Sequence, residues 1–495
     1  MIDPDIRERS TDGLRRILSA TFISLFGQAV SWTASLLLTA ACGRFLGDAE
    51  FGKLNLANSF VMLVVFPIEF AFNQQLIREV AQSPQRAPRY VASILLLKGA
   101  MWILLYGVIL VLASLLHYGT DLRVLIAICG VGALIGSATS TFSACHYAVA
   151  QVAIPAAGGS LEKLLAAVFG VVILRQGAGV VPLATLLLLC AIANAAWQGV
   201  WLFRRLGRQF SFDASLLRQL LSTSLPFLIY AGLGVVYYRI DTVLLFQMTD
   251  AAAVGWYTAG YRLLDALFVL PAIVINTIMY PTLARLAERD PEATRVAIEK
   301  CCNVLLVCGF PLATALLVGA PTIVRLVYGR AEFAHTIPVL RALAPGLVLL
   351  YVNSVLMAAI TSAKREAQAG VMAGMALLFN VGLNLVLIPA YRQVGAAVVT
   401  SLTELLLLGL GLRIVPRQMW PRASVRVAGK AALASAVMGT ALWWFGTENV
   451  IALVLVSPLL YLAAATLLGT IPASDVRQFL SAVQGRGATH VVDAD

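Results

Sequence analysis

Four charged residues lie inside apolar stretches of this chain, where ionised groups are expensive to hold and mark a functional site by default. Arg239 and Asp241 sit in YYRIDTVLLFQM, and Arg262 and Asp265 in GWYTAGYRLLDALFVL. A guanidinium in such a place can grip an anion through charge-assisted hydrogen bonds. A carboxylate there can exchange a proton or bind a cation. Arg239 and Asp241 are two residues apart and point to nearly opposite helix faces, so one is expected to line a cavity and the other to pair with a neighbouring helix. Arg262 and Asp265 are spaced i, i+3 and share a face. They read as a polar patch on a water-filled cavity, or as a local ion pair that lowers its own burial cost. Glu69 and Glu404 are lone acids in apolar segments, each able to couple to a proton or cation or to stay neutral through burial. Lys98 is a further candidate anion contact, or a lysine that snorkels to the interface, and the adjacent Glu162 and Lys163 read as snorkelling too.

The elements that carry these residues are membrane spans. The chain has 495 residues, 60% hydrophobic and 12% charged, against about 25% charged in soluble domains. Apolar runs of about 20 residues recur between polar breaks. They are expected at 17–42, 54–77, 90–116, 122–148, 153–174, 178–203, 222–248, 252–284, 301–322, 337–362, 367–389, 393–414, 428–446 and 449–470. The fold class is therefore all-α and polytopic, with about 14 transmembrane helices. The formal net charge of +11 does not indicate nucleic acid, because Lys and Arg concentrate in the short segments between spans. Of the 36, 24 fall on the side that holds both termini, 8 on the other, and Lys98, Lys163, Arg239 and Arg262 fall within spans. That bias makes both termini cytoplasmic.

A tandem repeat organises the spans. Leu46–Gly52 precedes the second span and Thr249–Gly255 the eighth, with Gly52 and Gly255 203 positions apart and Pro67 and Pro271 following at nearly the same offset. The expected domains are an N-tail (1–16), a six-helix lobe (17–203), a basic amphipathic linker (204–221), a second six-helix lobe (222–414), two extra helices behind a cytoplasmic loop (415–470) and a cytoplasmic tail (471–495). Two lobes in the same orientation are a transporter plan with the substrate between them. The linker reads as an interfacial helix or an ordinary positive-inside loop. Pro67, Pro271, Pro311 and Pro345 interrupt helices and permit bending. Gly132-xxx-Gly136 and Gly370-xxx-Gly374 read as close-packing faces. The seven cysteines, none in a CxxC pair, read as small apolar fillers rather than disulfides or a metal site.

No Walker loop, HExxH, paired-cysteine zinc site or GxSxG elbow is present, which argues against an enzyme and against ATP hydrolysis. The run Gly43-Arg44-Phe45-Leu46-Gly47 with Glu50-Phe51-Gly52 resembles the first loop of Wzx-type bacterial polysaccharide flippases. Tyr238-Arg239-Ile240-Asp241 followed by Val254-Gly255-Trp256-Tyr257 is similar to their seventh helix and next loop. Asn380-Val381-Gly382-Leu383-Asn384-Leu385-Val386-Leu387-Ile388-Pro389, with Gly395-Ala396-Ala397 and Glu404, is a third match. The family belongs to the multidrug, oligosaccharidyl-lipid and polysaccharide exporter superfamily. The arginine-rich first-helix signature of its lipid II flippase branch is absent, and the Arg-Ile-Asp motif fits the multidrug branch less well. The resemblance implies two lobes in a V around a central cavity, in a bacterial cytoplasmic membrane. It implies movement of undecaprenyl-diphosphate-linked oligosaccharide from inner to outer leaflet for O-antigen, exopolysaccharide or capsule synthesis. Arg239, Arg262 and Lys98 would then contact the substrate, while Asp241, Asp265, Glu69 and Glu404 would couple to protons or sodium, with no resident cofactor or metal. Expected partners are the lipid-linked oligosaccharide, membrane lipid, and the polymerase and glycosyltransferases of the same synthesis, not nucleic acid. A cation-coupled exporter of drugs or small metabolites is the alternative.

Overall fold

A computed structural model describes residues 26–69, 72–206, 214–286, 290–446 and 449–470, and every regular element among them is helical. In a hydrocarbon solvent each backbone N–H and C=O must find its partner within the segment, which a helix achieves alone. The helices are α1 (Phe26–Leu46), α2 (Asp48–Val65), α3 (Phe72–Gln82), α4 (Ala87–Leu115), α5 (Thr120–Ala148), α6 (Ala153–Arg175), α7 (Val180–Leu206), α8 (Ala214–Met248) and α9 (Ala251–Leu267). Then come α10 (Val269–Ile273), α11 (Tyr280–Leu286), α12 (Pro291–Val318), α13 (Ala320–Tyr328), α14 (Thr336–Ser362), α15 (Glu366–Ile414), α16 (Ser424–Trp444) and α17 (Ser457–Leu467). The N-tail, the centre of the 204–221 linker and the tail from 471 lie outside the described residues.

Among the described residues eleven helices are long and apolar enough to cross a membrane, against the fourteen spans anticipated. The difference has three sources. The expected spans 367–389 and 393–414 form the single 49-residue α15, broken at Arg392, whose φ is 51°. The segment 222–248 lies within α8, which is not among the eleven, and 449–470 holds only a shorter apolar helix, Ala452–Leu467.

The chain divides into two compact units, residues 1–255 and 256–495. In the first, α8 packs on α2 and α4, and α5 packs on α2, α3, α4 and α7. The expected interfacial linker resolves differently at its ends. Residues 204–206 finish α7, and 214–221 are the first turns of α8. Leu216 and Leu220 are buried with Phe72, Leu76, Val80 and Tyr90, so their apolar face meets protein. In α3 the residues Phe72, Leu76 and Val80 recur every fourth position and form that packing stripe. In the second unit α14 packs on α12 and α15, and the C-terminal pair α16–α17 joins through α12. Ala434, Met438, Tyr461 and Ala465 form its seam, with the Tyr461 hydroxyl donating to the Val307 carbonyl at 2.5 Å.

The prolines at the repeat-related positions both lie in or beside irregular helix. Pro67 lies in a 3-10 turn, Phe66–Glu69, and Pro271 lies in α10, followed by a π-helical turn, Val274–Met279. Pro311 and Pro345 stay inside unbroken helices. The Gly132-xxx-Gly136 reading does not hold as a close-packing face. A Cβ at Gly132 or Gly136 would meet nothing within 4 Å, whereas Gly130 receives the ring of Tyr106. The repeat glycines make a tight crossing instead. A Cβ at Gly52 would run into the Ala251 carbonyl oxygen, and one at Gly255 into the Asp48 carbonyl oxygen. Gly52→Ala and Gly255→Ala should each cost about 1–3 kcal/mol through overpacking. Thermal unfolding of purified protein, followed by tryptophan fluorescence, should show each variant melting several degrees lower; unchanged melting would refute the crossing.

Candidate functional site

The charged residues of α8 and α9 are positioned by what their helices bury. Asp241 is 4% exposed, as is Thr242 beside it, whereas Arg239 is half-buried. That difference follows from the roughly 200° between residues two apart on a helix. At the C-terminal end of α8, Gln247 Nε2 donates to the Tyr118 hydroxyl at 2.9 Å, and the Tyr118 ring meets Phe60 and Phe246 edge-on. These contacts fix the helix about two turns beyond Arg239.

In α9 the buried stripe is Ala253, Tyr257, Gly260 and Leu264. The Tyr257 hydroxyl is 3.2 Å from Thr400 Oγ1, the Tyr328 hydroxyl donates to the Ala259 carbonyl at 2.8 Å, and Thr336 Oγ1 donates to the Trp256 carbonyl at 3.1 Å. With that face locked, Arg262 and Asp265 fall outside the stripe and both are exposed. The helix ends two residues after Asp265, where the Tyr351 hydroxyl donates to the Leu267 carbonyl at 2.6 Å.

The remaining candidates are enclosed. Glu404 is 5% exposed, and Asn353 Nδ2 donates both to its carboxylate Oε2 at 2.7 Å and to its backbone carbonyl at 2.8 Å. Lys98 does not snorkel. It is 1% exposed and donates to Asn73 Oδ1 and the Ser137 carbonyl at 3.2 Å each and to Ser140 Oγ at 3.4 Å. The side chain of Glu69 lies outside the described residues; its backbone closes the 3-10 turn after α2. Lys98, Glu69, Arg239 and Asp241 belong to the first unit, and Arg262, Asp265 and Glu404 to the second.

The neutral polar partners escaped a reading aimed at charge. Asn73 and Asn353 hold Lys98 and Glu404, and Asn194 and Gln198 form a buried i, i+4 amide pair with Nε2 donating to Oδ1 at 2.9 Å. Asn380 and Asn384, both fully buried, repeat the arrangement at 3.0 Å. Amides four residues apart in an apolar segment are the signal that would have found them, because hydrocarbon forces such side chains to pair.

The architecture is a bundle of membrane-length helices with a charged patch on α9 and buried acids in both units. A structure of the lipid II flippase MurJ superposes with a TM-score of 0.74 at 12% identity, over 93% of this chain and all of the other. An inward-facing multidrug resistance MATE transporter gives 0.59 at 17% identity over 83% and 96%. A Vibrio cholerae MATE transporter gives 0.56 at 15% over 84% and 98%. The chain itself belongs to the polysaccharide biosynthesis protein family, whose model matches residues 42–338. The resemblances at Gly43–Gly52 and Tyr238–Tyr257 fall inside that stretch. A sequence comparison with curated proteins finds no match.

The Asn353–Glu404 bond is open to a direct check. Asn353→Leu leaves a buried carboxylate without that donor and should cost about 1–3 kcal/mol. Glu404→Gln keeps an acceptor oxygen there and should cost less. Thermal melts that rank the two variants the other way would count against this bond as a stabilising contact.

Proposed function

We propose that the protein is a flippase for oligosaccharide carried on a polyprenyl diphosphate, undecaprenyl diphosphate in a bacterial cytoplasmic membrane. It would move the head group from the inner to the outer leaflet by alternating access, for cell-surface polysaccharide synthesis, with both termini cytoplasmic. The observation that carries this reading is the exposed guanidinium of Arg262 within an apolar helix of a polysaccharide biosynthesis protein. A diphosphate with a sugar head cannot cross about 30 Å of hydrocarbon unaided. Arg262 and the half-buried Arg239 supply forked donors that suit phosphate oxygens. The flippase fold of MurJ supports movement of a lipid-linked substrate.

The chain carries no nucleotide-binding loop. The drive would be a proton or sodium gradient taken up at Asp241, Asp265, Glu69 or Glu404, or consumption of product by a polymerase. The likeness to MATE transporters favours a second reading, cation-coupled export of drugs or metabolites. In that case the acids matter more than the arginines.

Proteoliposomes loaded with fluorescent lipid-linked oligosaccharide separate the two. Wild-type protein should flip the lipid, and Arg262→Ala and Arg239→Ala should each slow flipping by roughly tenfold or more, the loss of about one charged hydrogen bond. Flipping at the wild-type rate by Arg262→Ala would remove that residue from the mechanism. Efflux of organic cations with no lipid flipping would favour the exporter.

A further inference from the structure

Lys163 and Glu162 lie in the middle of α6, about 15 Å from either end. Leu161, Leu164, Val168 and Val172 are 46–51% exposed and form the outer stripe of this helix. At 100° per residue Lys163 is roughly 150° away from that stripe. It lies on the side of Ala166, Ala167 and Gly170, all buried. Its side chain is nevertheless 48% exposed. One turn earlier on the same side, a Cβ at Gly159 would meet nothing within 4 Å. Flanking this open space, Ser160 Oγ donates to the Gly27 carbonyl of α1 at 3.0 Å, and Gly158 lets Asn194 of α7 lie against the α6 backbone. Lys163 thus presents an exposed ammonium at mid-helix depth on the side of α6 opposite its apolar stripe, whereas Lys98 is enclosed.

The ammonium is held. Lys163 Nζ is 2.8 Å from Glu162 Oε1, while Glu162 Oε2 accepts from Asn194 Nδ2 at 2.8 Å. Asn194 Oδ1 accepts from Gln198 Nε2, and Gln198 Oε1 from Ser143 Oγ at 2.7 Å. His146 Nε2 is 3.1 Å from the Gln198 carbonyl. With the Gln151 amide turned so that its nitrogen donates to His146 Nδ1 at 3.2 Å, its oxygen accepts from Arg205. This chain of side chains across α5, α6 and α7 pins one carboxylate oxygen and keeps the other aimed at Lys163.

We propose that Glu162 and Lys163 form a proton-gated anion site, in which the carboxylate of Glu162 and the diphosphate of a polyprenyl lipid compete for the Lys163 ammonium. When Glu162 takes a proton on Oε1 it becomes neutral and releases Lys163, which then pairs with a phosphate oxygen. Protonation of the carboxylate and binding of the anion are then coupled reciprocally, so that acid strengthens anion binding. The identity of the anion rests on the flippase reading. Among the described residues, other titratable groups stand on the helices around the pair. Cys190 of α7 lies within electrostatic reach of both. His146 of α5 is reached only through Gln198, Arg204 and Arg205 stand at the far end of α7, and α1 contributes Cys42 and Arg44.

Geranylgeranyl diphosphate binding to the purified full-length protein, measured by thermophoresis at about pH 5.5 and about pH 8, tests this. Wild type should bind roughly tenfold tighter at the lower pH. The probe's own ionisation pulls the other way, since it carries less charge in acid. Glu162→Gln should bind tightly at both pH values, and Lys163→Met weakly at both. The proposal falls if Glu162→Gln keeps the wild-type pH dependence, if Lys163→Met binds like wild type, or if wild type does not bind. It also falls if the dependence survives in Glu162→Gln and vanishes in His146→Gln, which would assign the proton to the imidazole. The flipping assay keeps the two readings apart. Wild-type flipping with an unaltered rate in Lys163→Met would sink only this site. Lost flipping alongside acid-strengthened binding that needs Lys163 would sink only the flippase.

Discussion

Hydrocarbon does not solvate polar groups, and most features of this protein answer that constraint. The backbone is helical because no other open structure satisfies itself. Side-chain amides pair at i, i+4, hydroxyls return to the carbonyl one turn back, and Lys98 is wrapped by three oxygen acceptors. Where a charge within an apolar segment is not enclosed, as at Arg262, Asp265 and Lys163, water has to reach it. Exposure of such groups is therefore the informative quantity, and it separates them from Glu404 and Asp241, which are sealed in.

The same constraint decides what could be read from the residues alone. Helix class and most spans follow from runs of apolar residues, and α4, α5, α6 and α7 fall close to their anticipated limits. Arg262 and Asp265 stand out because charge is rare in such runs. Their shared exposure matches their i, i+3 spacing. The neutral partners carry no such flag. Asn73, Asn194 and Gln198 look unremarkable in composition, yet they determine whether Lys98 and Glu162 are available. The amphipathic 214–221 segment shows the limit of pattern reading, since an apolar stripe suits α3 as well as it suits lipid. Gly132 and Gly136 show it again, because spacing permits close approach without requiring it.

The second half of the repeat carries charges that the first lacks. Counting back 203 positions from Arg262 and Asp265 gives Ser59 and Met62. Ser59 is 2% exposed and Met62 46% exposed, an enclosed hydroxyl and an apolar surface in place of two exposed ions. The first half has its own ions elsewhere, at Glu162 and Lys163 on α6. The two halves differ in where each exposes charge within its apolar helices.

The glycine crossing has a geometry of its own. Gly52 faces the carbonyl of Ala251, and Gly255 faces the carbonyl of Asp48. The same shift of 203 that maps Gly52 onto Gly255 maps Asp48 onto Ala251. The starts of α2 and α9 thus meet isologously, each patch against its own image, as across the twofold axis of a homodimer. One chain contains the self-complementary contact that two copies would otherwise make. A one-residue insertion between Asp48 and Gly52 would spoil both halves of that contact at once, so the two copies of this turn are held to a common length.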